Sequence, residues 1–212
     1  MASAAPTIQN VVVTMSIGTS LWLPDVARKL RVAEYNAARF SAVTFRLRYP
    51  KTTALLFSSG KVVCTGAKSR LQAILACYKY ARCLRKYAGV NATVCDLKVQ
   101  NIVCTVNFNT RIDLDKFARL NRAKCNYDST LFPGAIWRHD ICAQSMVVLL
   151  FKSGRCVITG AKKEQETCDA YAQIRPLVAA CTVDDDDDEP RVPAALEPHV
   201  RELIDSIVRN SI

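Results

Sequence analysis

Hydrophobic and polar positions follow the same series twice along this chain. Residues 8–17 (IQNVVVTMSI) and 99–108 (VQNIVCTVNF) are rich in β-branched residues and extended in character, which predicts a strand at each. Each is followed by a short helical pattern, around Pro24–Leu30 and Asp113–Leu120. Strand candidates then lie near 40–49, 52–58 and 61–66, with counterparts near 132–140, 146–152 and 155–160. Ser59-Gly60 and Ser153-Gly154 predict tight turns between antiparallel neighbours. Each series closes with a helix. The first begins at Ser69, with Gln72 placed for a capping box and Gly89 as its stop. Leu71, Ile74, Leu75, Tyr78 and Ala81 recur at helical spacing and are expected to face the sheet, with Lys79, Arg82, Arg85 and Lys86 outside. The second helix covers about 163–180, with Tyr171, Ile174 and Val178 inward and Pro176 expected to strain or bend it.

The repetition reaches the level of sequence. Residues 57–68 read FSSGKVVCTGAK and residues 151–162 read FKSGRCVITGAK. Upstream of each stands a Phe (Phe40, Phe132) and, further back, a Gln-Asn pair (9–10, 100–101). Two similar halves related by an approximate two-fold axis follow, a symmetry that suits double-stranded DNA. The predicted class is α+β, with helices of both halves on one sheet face. The other face would be open and carry Val12, Leu55, Val63, Leu149 and Val157, and an exposed apolar face of that kind marks a binding surface. After Thr182 the composition changes. DDDDDE (184–189) reads as a solvated linker, and Leu196, Val200, Leu203, Ile204, Ile207 and Val208 share one helical face, with Pro198 near the start.

Charge sharpens the choice of partner. The chain carries +10 overall, but residues from Asp184 onward hold nine acidic and three basic groups, −6. Residues 1–183 therefore hold 26 basic and ten acidic groups, +16. A basic body suggests a polyanionic partner. Enzyme chemistry finds little support. The ten cysteines form no CxxC pair and the only histidines are His139 and His199, poor material for zinc. TGAK lacks the spacing of a phosphate-binding Walker loop, and Asp113 and Asp115 read as helix-start residues. No catalytic residue, cofactor or metal is assigned. The start, MASAAPTIQN, shows no secretory signal, and the apolar run Met146–Phe151 is too short to span a bilayer, so most cysteines read as reduced, buried thiols of an intracellular protein.

Three sets of residues carry candidate chemistry. A lone Phe in a strand is ordinarily core, but Phe57 and Phe151 border polar turns and Phe40 follows Arg39 in a basic stretch. An apolar side chain at a loop tip can wedge between base steps from the minor groove. Asn10 and Asn101, related by the repeat, can donate to adenine N3 and thymine O2, where the guanine amino group would obstruct. Thr65 and Thr159 can add hydroxyl contacts. Arg39, Arg46, Arg48, Lys51, Lys61 and Lys68, then Arg138, Arg155, Lys162 and Lys163, look like phosphate clamps.

With these residues in place, residues 7–182 resemble the TATA-box-binding protein family. The carriers are QN at 9–10 and 100–101, AEYN at 33–36, RF at 39–40, TTALLFSSGKVVCTGAKS at 52–69, LFPG at 131–134, and VLLFKSG…ITGAK at 148–162. The resemblance implies a pseudo-two-fold saddle, a curved ten-stranded antiparallel sheet with helices on the convex face. It divides the chain into a disordered start (1–6), two repeats (7–91 and 92–182), an acidic linker (183–194) and an amphipathic C-terminal helix (195–212). Minor-groove kinking by apolar wedges is the established behaviour of the family and is carried over as such. By motif, Phe40 and Phe57 would insert at one kink and Phe132 and Phe151 at the other, with Pro133 supporting the second. Asn10 and Asn101 would sit near the central step, and Val12, Val103, Leu55, Leu149, Val63 and Val157 on the groove floor. Arg46, Lys51, Ser59, Lys61, Lys68, Arg138, Ser153, Arg155 and Lys162 would meet phosphates. The implied protein partners are transcription factor IIB-like, at the loop of Asp128, Thr130 and Leu131, and IIA-like; Arg82, Arg85 and Lys86 of the basic helix are further candidate partner contacts.

The chain also departs from the family pattern. YEPELFPG becomes YDSTLFPG at 127–134, so Thr130 replaces an acid at the usual factor IIB contact. NPKRF becomes NAARF at 36–40, and Ser41 follows the first wedge. The paired Phe residues are 17 apart in the first half and 19 in the second, which places an insertion between Ile136 and Met146. Together with the C-terminal extension, such traits fit a divergent protist or a large DNA virus, acting in the nucleus or a viral factory. The reading is a general initiation factor that bends TATA-like DNA. The alternatives are a family-like adaptor that recruits or sequesters transcription factors with weak or altered DNA specificity, and an accessory domain of a repair or nuclease enzyme.

Overall fold

The computed structural model describes residues 5–141 and 144–183. Residues 1–4, most of the expected acidic linker, the amphipathic stretch at 195–212, and the side chains of residues 139–145 lie outside what it describes. The first half runs β1 (Thr7–Ser16), α1 (Leu23–Lys29), β2 (Ala33–Asn36), β3 (Phe40–Leu47), β4 (Thr52–Phe57), β5 (Lys61–Ala67) and α2 (Arg70–Cys83), which ends in a π-helical turn, Leu84–Ala88. The second runs β6 (Cys95–Asn107), β7 (Arg111–Ile112), α3 (Leu114–Leu120), β8 (Cys125–Asn126), β9 (Gly134–Ile141), β10 (Gln144–Phe151), β11 (Arg155–Ala161), α4 (Glu164–Ala179) and β12 (Thr182–Val183).

Ten strands form one open antiparallel sheet in the order β2-β3-β4-β5-β1-β6-β11-β10-β9-β8, and β12 pairs separately with β7. The α+β class and the ten-stranded sheet agree with the sequence reading. Val183, assigned above to the linker, is instead the last residue of β12, opposite Arg111. The pseudo-two-fold axis passes between β1 and β6. Val11 lies opposite Ile102, its own counterpart in the other repeat, while Asn10 lies opposite Val103 and Val12 opposite Asn101, so the pairing is symmetric about Val11 and Ile102. The connections after β1 and β6 are equally symmetric. Ile17 N–H donates to Gly60 O (3.0 Å) and Phe108 N–H to Gly154 O (2.9 Å). Both glycines are held at positive φ, and a Cβ would come within 2.0 Å of Thr19 O at Gly60 and 2.2 Å of Thr110 O at Gly154. That close approach is why the Ser-Gly turn occurs in both copies.

Strand alternation sorts the side chains into two faces. Val11, Val13 and Met15 of β1, Ile102, Cys104 and Val106 of β6, and Val62, Cys156 and Ile158 of their neighbours join one large core with residues of all four helices. Alternate residues, including Asn10, Val12, Asn101 and Val103, take the helix-free face. There Val103, Leu149 and Val157 form a second, smaller cluster.

Two expectations about the helices need correction. In α2 the residues facing the sheet are Ala73, Ala76, Cys77, Tyr80, Ala81 and then Leu84, whereas Leu71, Leu75 and Tyr78 point to solvent and Ile74 is half-buried. Both 71/75/78 and 73/77/80/84 are helically spaced, so periodicity alone could not choose. Packing favours the stripe of small residues, which brings the helix close to the sheet while Tyr80 fills the remaining space. Tyr80 stands edge-on to Phe45 (centroids 5.3 Å) and its hydroxyl meets Thr52 Oγ1 at 3.0 Å. In α4, which runs to Ala179, Pro176 lies in the last turn. Ile174 and Val178 are buried as expected, while Tyr171 is only half-buried and stacks on Phe108 at 6.0 Å.

Candidate nucleic-acid interface

At the centre of the helix-free face the same hydrogen-bonded network is built twice. The pairing of β1 with β5 shifts register between Val11 and Val13, and that of β11 with β6 between Ile158 and Ala161. Each shift turns a glycine N–H out of the ladder. Gly66 N–H donates to Asn10 Oδ1 (2.7 Å) and Gly160 N–H to Asn101 Oδ1 (2.8 Å). An N–H needs an acceptor, so this bond fixes each amide with its NH2 group turned the other way. Asn10 Nδ2 then donates to Thr65 Oγ1 and Asn101 Nδ2 to Thr159 Oγ1, both at 3.1 Å. Each amide keeps a second N–H with no partner in the described structure. Two donors therefore stand on either side of the pseudo-dyad. A further symmetric pair crosses the axis: Gln9 Nε2 donates to Thr105 Oγ1 (2.9 Å) and Gln100 Nε2 to Thr14 Oγ1 (2.7 Å).

The four phenylalanines flank this centre in two pairs. Register places Phe57 opposite Ala42, two residues after Phe40, and Phe151 opposite Gly134, two residues after Phe132. The rings meet edge to face, at 6.3 Å and 70° in the first pair and 5.9 Å and 63° in the second. Gly134 makes room for the second pair, because a Cβ there would lie 2.8 Å from the ring of Phe132 and 3.0 Å from that of Phe151. Phe40 is 44% exposed, and the other three are partly buried. Phe57 and Phe151 sit on β4 and β10, five strand spacings apart, which is about 24 Å. Unbent duplex rises about 3.4 Å per base pair, so the lateral span between wedges corresponds to about seven steps.

The floor between the wedges differs from the sequence reading. Val12, Val63, Val103, Leu149 and Val157 are buried rather than exposed, and only Leu55 of that set stays partly open. Side chains on the helix-free face pack against their lateral neighbours. In the second half Phe132, Ile136, Val147 and Phe151 also lean over Val103, Leu149 and Val157. The solvent-accessible apolar surface on this face is thus concentrated at the wedges and the residues beside them.

Positive charge rims the face. Arg39, Lys51, Lys61, Lys68, Arg138 and Lys162 are exposed and Arg155 is half-exposed, with Ser59 and Ser153 exposed on the two hairpin turns. Among the described residues only two carboxylates form ion pairs, Asp25 with Arg28 and Lys29, and Glu34 with Arg46. Arg46, expected to meet a phosphate, is thus held by Glu34 at 2.5 Å. No group of three or more metal-ligating side chains occurs among the described residues.

The expected protein contacts lie off this face or at its end. Asp128 closes an Asx turn, accepting from Thr130 N (2.9 Å) and the Thr130 hydroxyl (2.6 Å), and Leu131 beside it is 84% exposed. The Thr130 hydroxyl and N–H hold the Asp128 carboxyl below the usual carboxylate range. Phe132 N–H donates to Asp128 O at 3.0 Å, so this turn anchors the backbone of the second wedge, and the exposed Pro133 follows it. Arg82 and Lys86 are exposed on α2 and its π-turn, but Arg85 donates to the carbonyl of Ala92 and pins the inter-repeat connection.

Comparison with known proteins decides what this geometry belongs to. The family model described as "Transcription factor TFIID (or TATA-binding protein, TBP)" matches residues 5–87 and 96–181. The chain belongs to the TATA-binding protein family. It is 46% identical over 173 residues to the TATA-box-binding protein of Candida albicans, covering 82% of this chain and 71% of the relative. It is equally similar to TATA-box-binding protein 2 of Arabidopsis thaliana, covering 85% of that relative. The Methanococcus jannaschii TBP structure superposes with a TM-score of 0.72 at 37% identity, covering 84% of this chain and 99% of that one. The fold is therefore the saddle of the family. These matches are to a fungus, a plant and an archaeon, and nothing in them supports a viral origin.

Within that family, the fold brings the repeat-related Asn, Thr and Phe residues onto one face in matched positions. Sequence reasoning gave no role to Gln9, Gln100, Thr14 and Thr105. Their repeat spacing was visible in the two QN pairs, but the cross-axis bonds needed the β1–β6 register. Ala42 and Gly134, which lie opposite Phe57 and Phe151, carried no chemical signal of their own.

Proposed function

We propose that this protein binds AT-rich, TATA-like duplex DNA through the minor groove, bends it by phenylalanine insertion, and serves in the nucleus as a general transcription initiation factor. The observation that carries the reading is the twice-built Asn–Thr–Gly network at the pseudo-dyad, framed by two phenylalanine pairs. The free N–H of Asn10 and that of Asn101 donate to adenine N3 or thymine O2, and a guanine amino group in the same place would meet a donor with a donor. Each Phe pair enters a base step. Unstacking costs about a few kcal/mol per step, offset by burial of the exposed rings and by the larger surface that bent DNA presents. Flexible pyrimidine–purine steps lower that cost, which adds sequence preference where nothing touches the bases. When the rings of Phe132 and Phe151 leave the protein face, Val103, Leu149 and Val157 become available to the groove floor. Lys51, Lys61, Lys68 and Lys162, which form no ion pair among the described residues, neutralise phosphates along both rims, and Arg46 joins them by exchanging Glu34 for phosphate.

Among protein partners, a factor IIB-like protein would meet the Asp128–Leu131 turn, where one carboxylate and an exposed leucine remain. A factor IIA-like protein would meet Arg82 and Lys86, with Arg85 committed to Ala92. The adaptor alternative is disfavoured by retention of both asparagines and all four wedges. Selection of binding sites from random duplexes tests the reading. It predicts enrichment of AT-rich sites about seven steps long between kinks, and loss of enrichment at one end with Phe57→Ala and at the other with Phe151→Ala. Recovery of no preferred sequence, or of GC-rich sites, would overturn it.

A further inference from the structure

The outward face of α2 is an apolar stripe on a basic helix. Leu71 (77% exposed), Leu75 (43%) and Tyr78 (59%) follow one another at i, i+4 and i+7. The segment 70–88 carries five basic residues, Arg70, Lys79, Arg82, Arg85 and Lys86, and no acidic one. Such a stripe on the surface of a soluble domain is the half of a helix-in-groove or helix-on-helix contact. A second copy of the same helix fits it poorly, because two such faces would bring ten like charges together. The chain contains a segment of opposite character. Leu196, Val200, Leu203, Ile204, Ile207 and Val208 recur at i, i+4, i+7, i+8, i+11 and i+12, with Glu197, Glu202 and Asp205 outnumbering Arg201 among them, and with Asp184–Glu189 and the single base Arg191 before them.

We propose that residues 196–208 of the same chain dock as a helix on the Leu71–Leu75–Tyr78 stripe of α2. Thirteen helical residues span about 20 Å and the fourteen of α2 about 21 Å, so the two elements match in length. From Val183 to Leu196 the chain reaches at most about 45 Å when extended, comparable with the diameter of the body, so the tether permits the contact without dictating it. Selection comes from the matched apolar spacing and from carboxylates meeting Arg70, Arg82 and Lys86. Docking there lies on the helix-covered side, away from the asparagine and phenylalanine residues, so it occupies a surface for protein partners and leaves the DNA face open.

The test uses the full chain with p-benzoylphenylalanine in place of Leu75, irradiated at nanomolar concentration, with adducts mapped by mass spectrometry. The expected product is an intramolecular adduct within 196–208, lost with Leu203→Asp plus Ile207→Asp. Independently, amide hydrogens of 200–208 should exchange at least tenfold faster in Leu71→Asp plus Leu75→Asp than in the parent; both leucines are exposed, so the body should keep its melting temperature. Adducts to a second copy or to other segments, or equal exchange in parent and variant, would overturn the proposal.

Discussion

Replacing Asn10 with aspartate separates what holds the fold from what reads the DNA. The side chain keeps its shape, and a carboxylate oxygen still accepts the Gly66 N–H at 2.7 Å and lies 3.3 Å from the Thr65 hydroxyl. Asn10 is half-buried and Gly66 exposed, so water reaches the new charge. Stability should change by less than about 1 kcal/mol. Two things change: the NH2 donor becomes an acceptor, and the side chain gains a negative charge. In the complex, one base acceptor would then be sealed against the protein unpaired, at a cost of about 1–3 kcal/mol, a 5- to 150-fold loss of affinity. A negative charge facing base lone pairs and flanking phosphates adds to that. Asn10→Ala removes the donor without adding charge, so it should lose less affinity than Asn10→Asp. It also unpairs the exposed Gly66 N–H, which water can satisfy, at about 0.5–1.5 kcal/mol of stability. Urea unfolding and fluorescence-anisotropy titration of a TATA-centred duplex give the two quantities for each variant. The order of affinity should be parent, then alanine, then aspartate, with aspartate close to the parent in stability. A folded Asn10→Asp protein that binds like the parent would refute a donor role for this amide.

Other expectations follow from single contacts. Glu34→Gln should raise DNA affinity at low salt, because Arg46 no longer exchanges a carboxylate for a phosphate, and the gain should shrink as salt rises; no gain at any salt would place Arg46 off the DNA. Tyr171→Phe should leave unfolding stability unchanged or slightly higher, because among the described residues the Tyr171 hydroxyl is buried with no partner; a loss above about 1 kcal/mol in urea would show that it has one. Asp128 titrates below its ordinary value, so its bonds to Thr130 order the turn at pH above that value and are lost as pH falls through the lowered one. Thr130→Ala should move the Asp128 titration upward in carboxylate NMR, and an unmoved titration would assign the shift to another group.

Much of the candidate interface was legible because the duplication supplied each candidate with an internal control. Asn10 alone is an ordinary strand amide, but Asn10 with Asn101, each beside a Thr-Gly pair, marks a position that both halves keep. The four phenylalanines were legible for the same reason. Burial was not. Val12 and Leu149 read as exposed because alternation gives the face, and only lateral packing on that face closes it. The inward side of α2 was misread because both stripes are apolar, and hydrophobicity favoured the larger residues where packing against the sheet required alanine. Strands β2 and β8, four and two residues long, are too short to show alternation. The Glu34–Arg46 pair was hidden because it joins neighbouring strands across twelve residues of sequence.

The central claim is that two phenylalanine pairs on the helix-free face kink DNA at separate steps. Energy transfer between dyes at the two ends of a TATA-centred duplex measures it directly, with the parent, Phe57→Ala, Phe151→Ala and the double variant. The account predicts a strong bend with the parent, a smaller bend with each single variant, and a nearly straight duplex with the double variant at saturating protein. A duplex that stays straight with the parent, or bends equally with all four proteins, would contradict it.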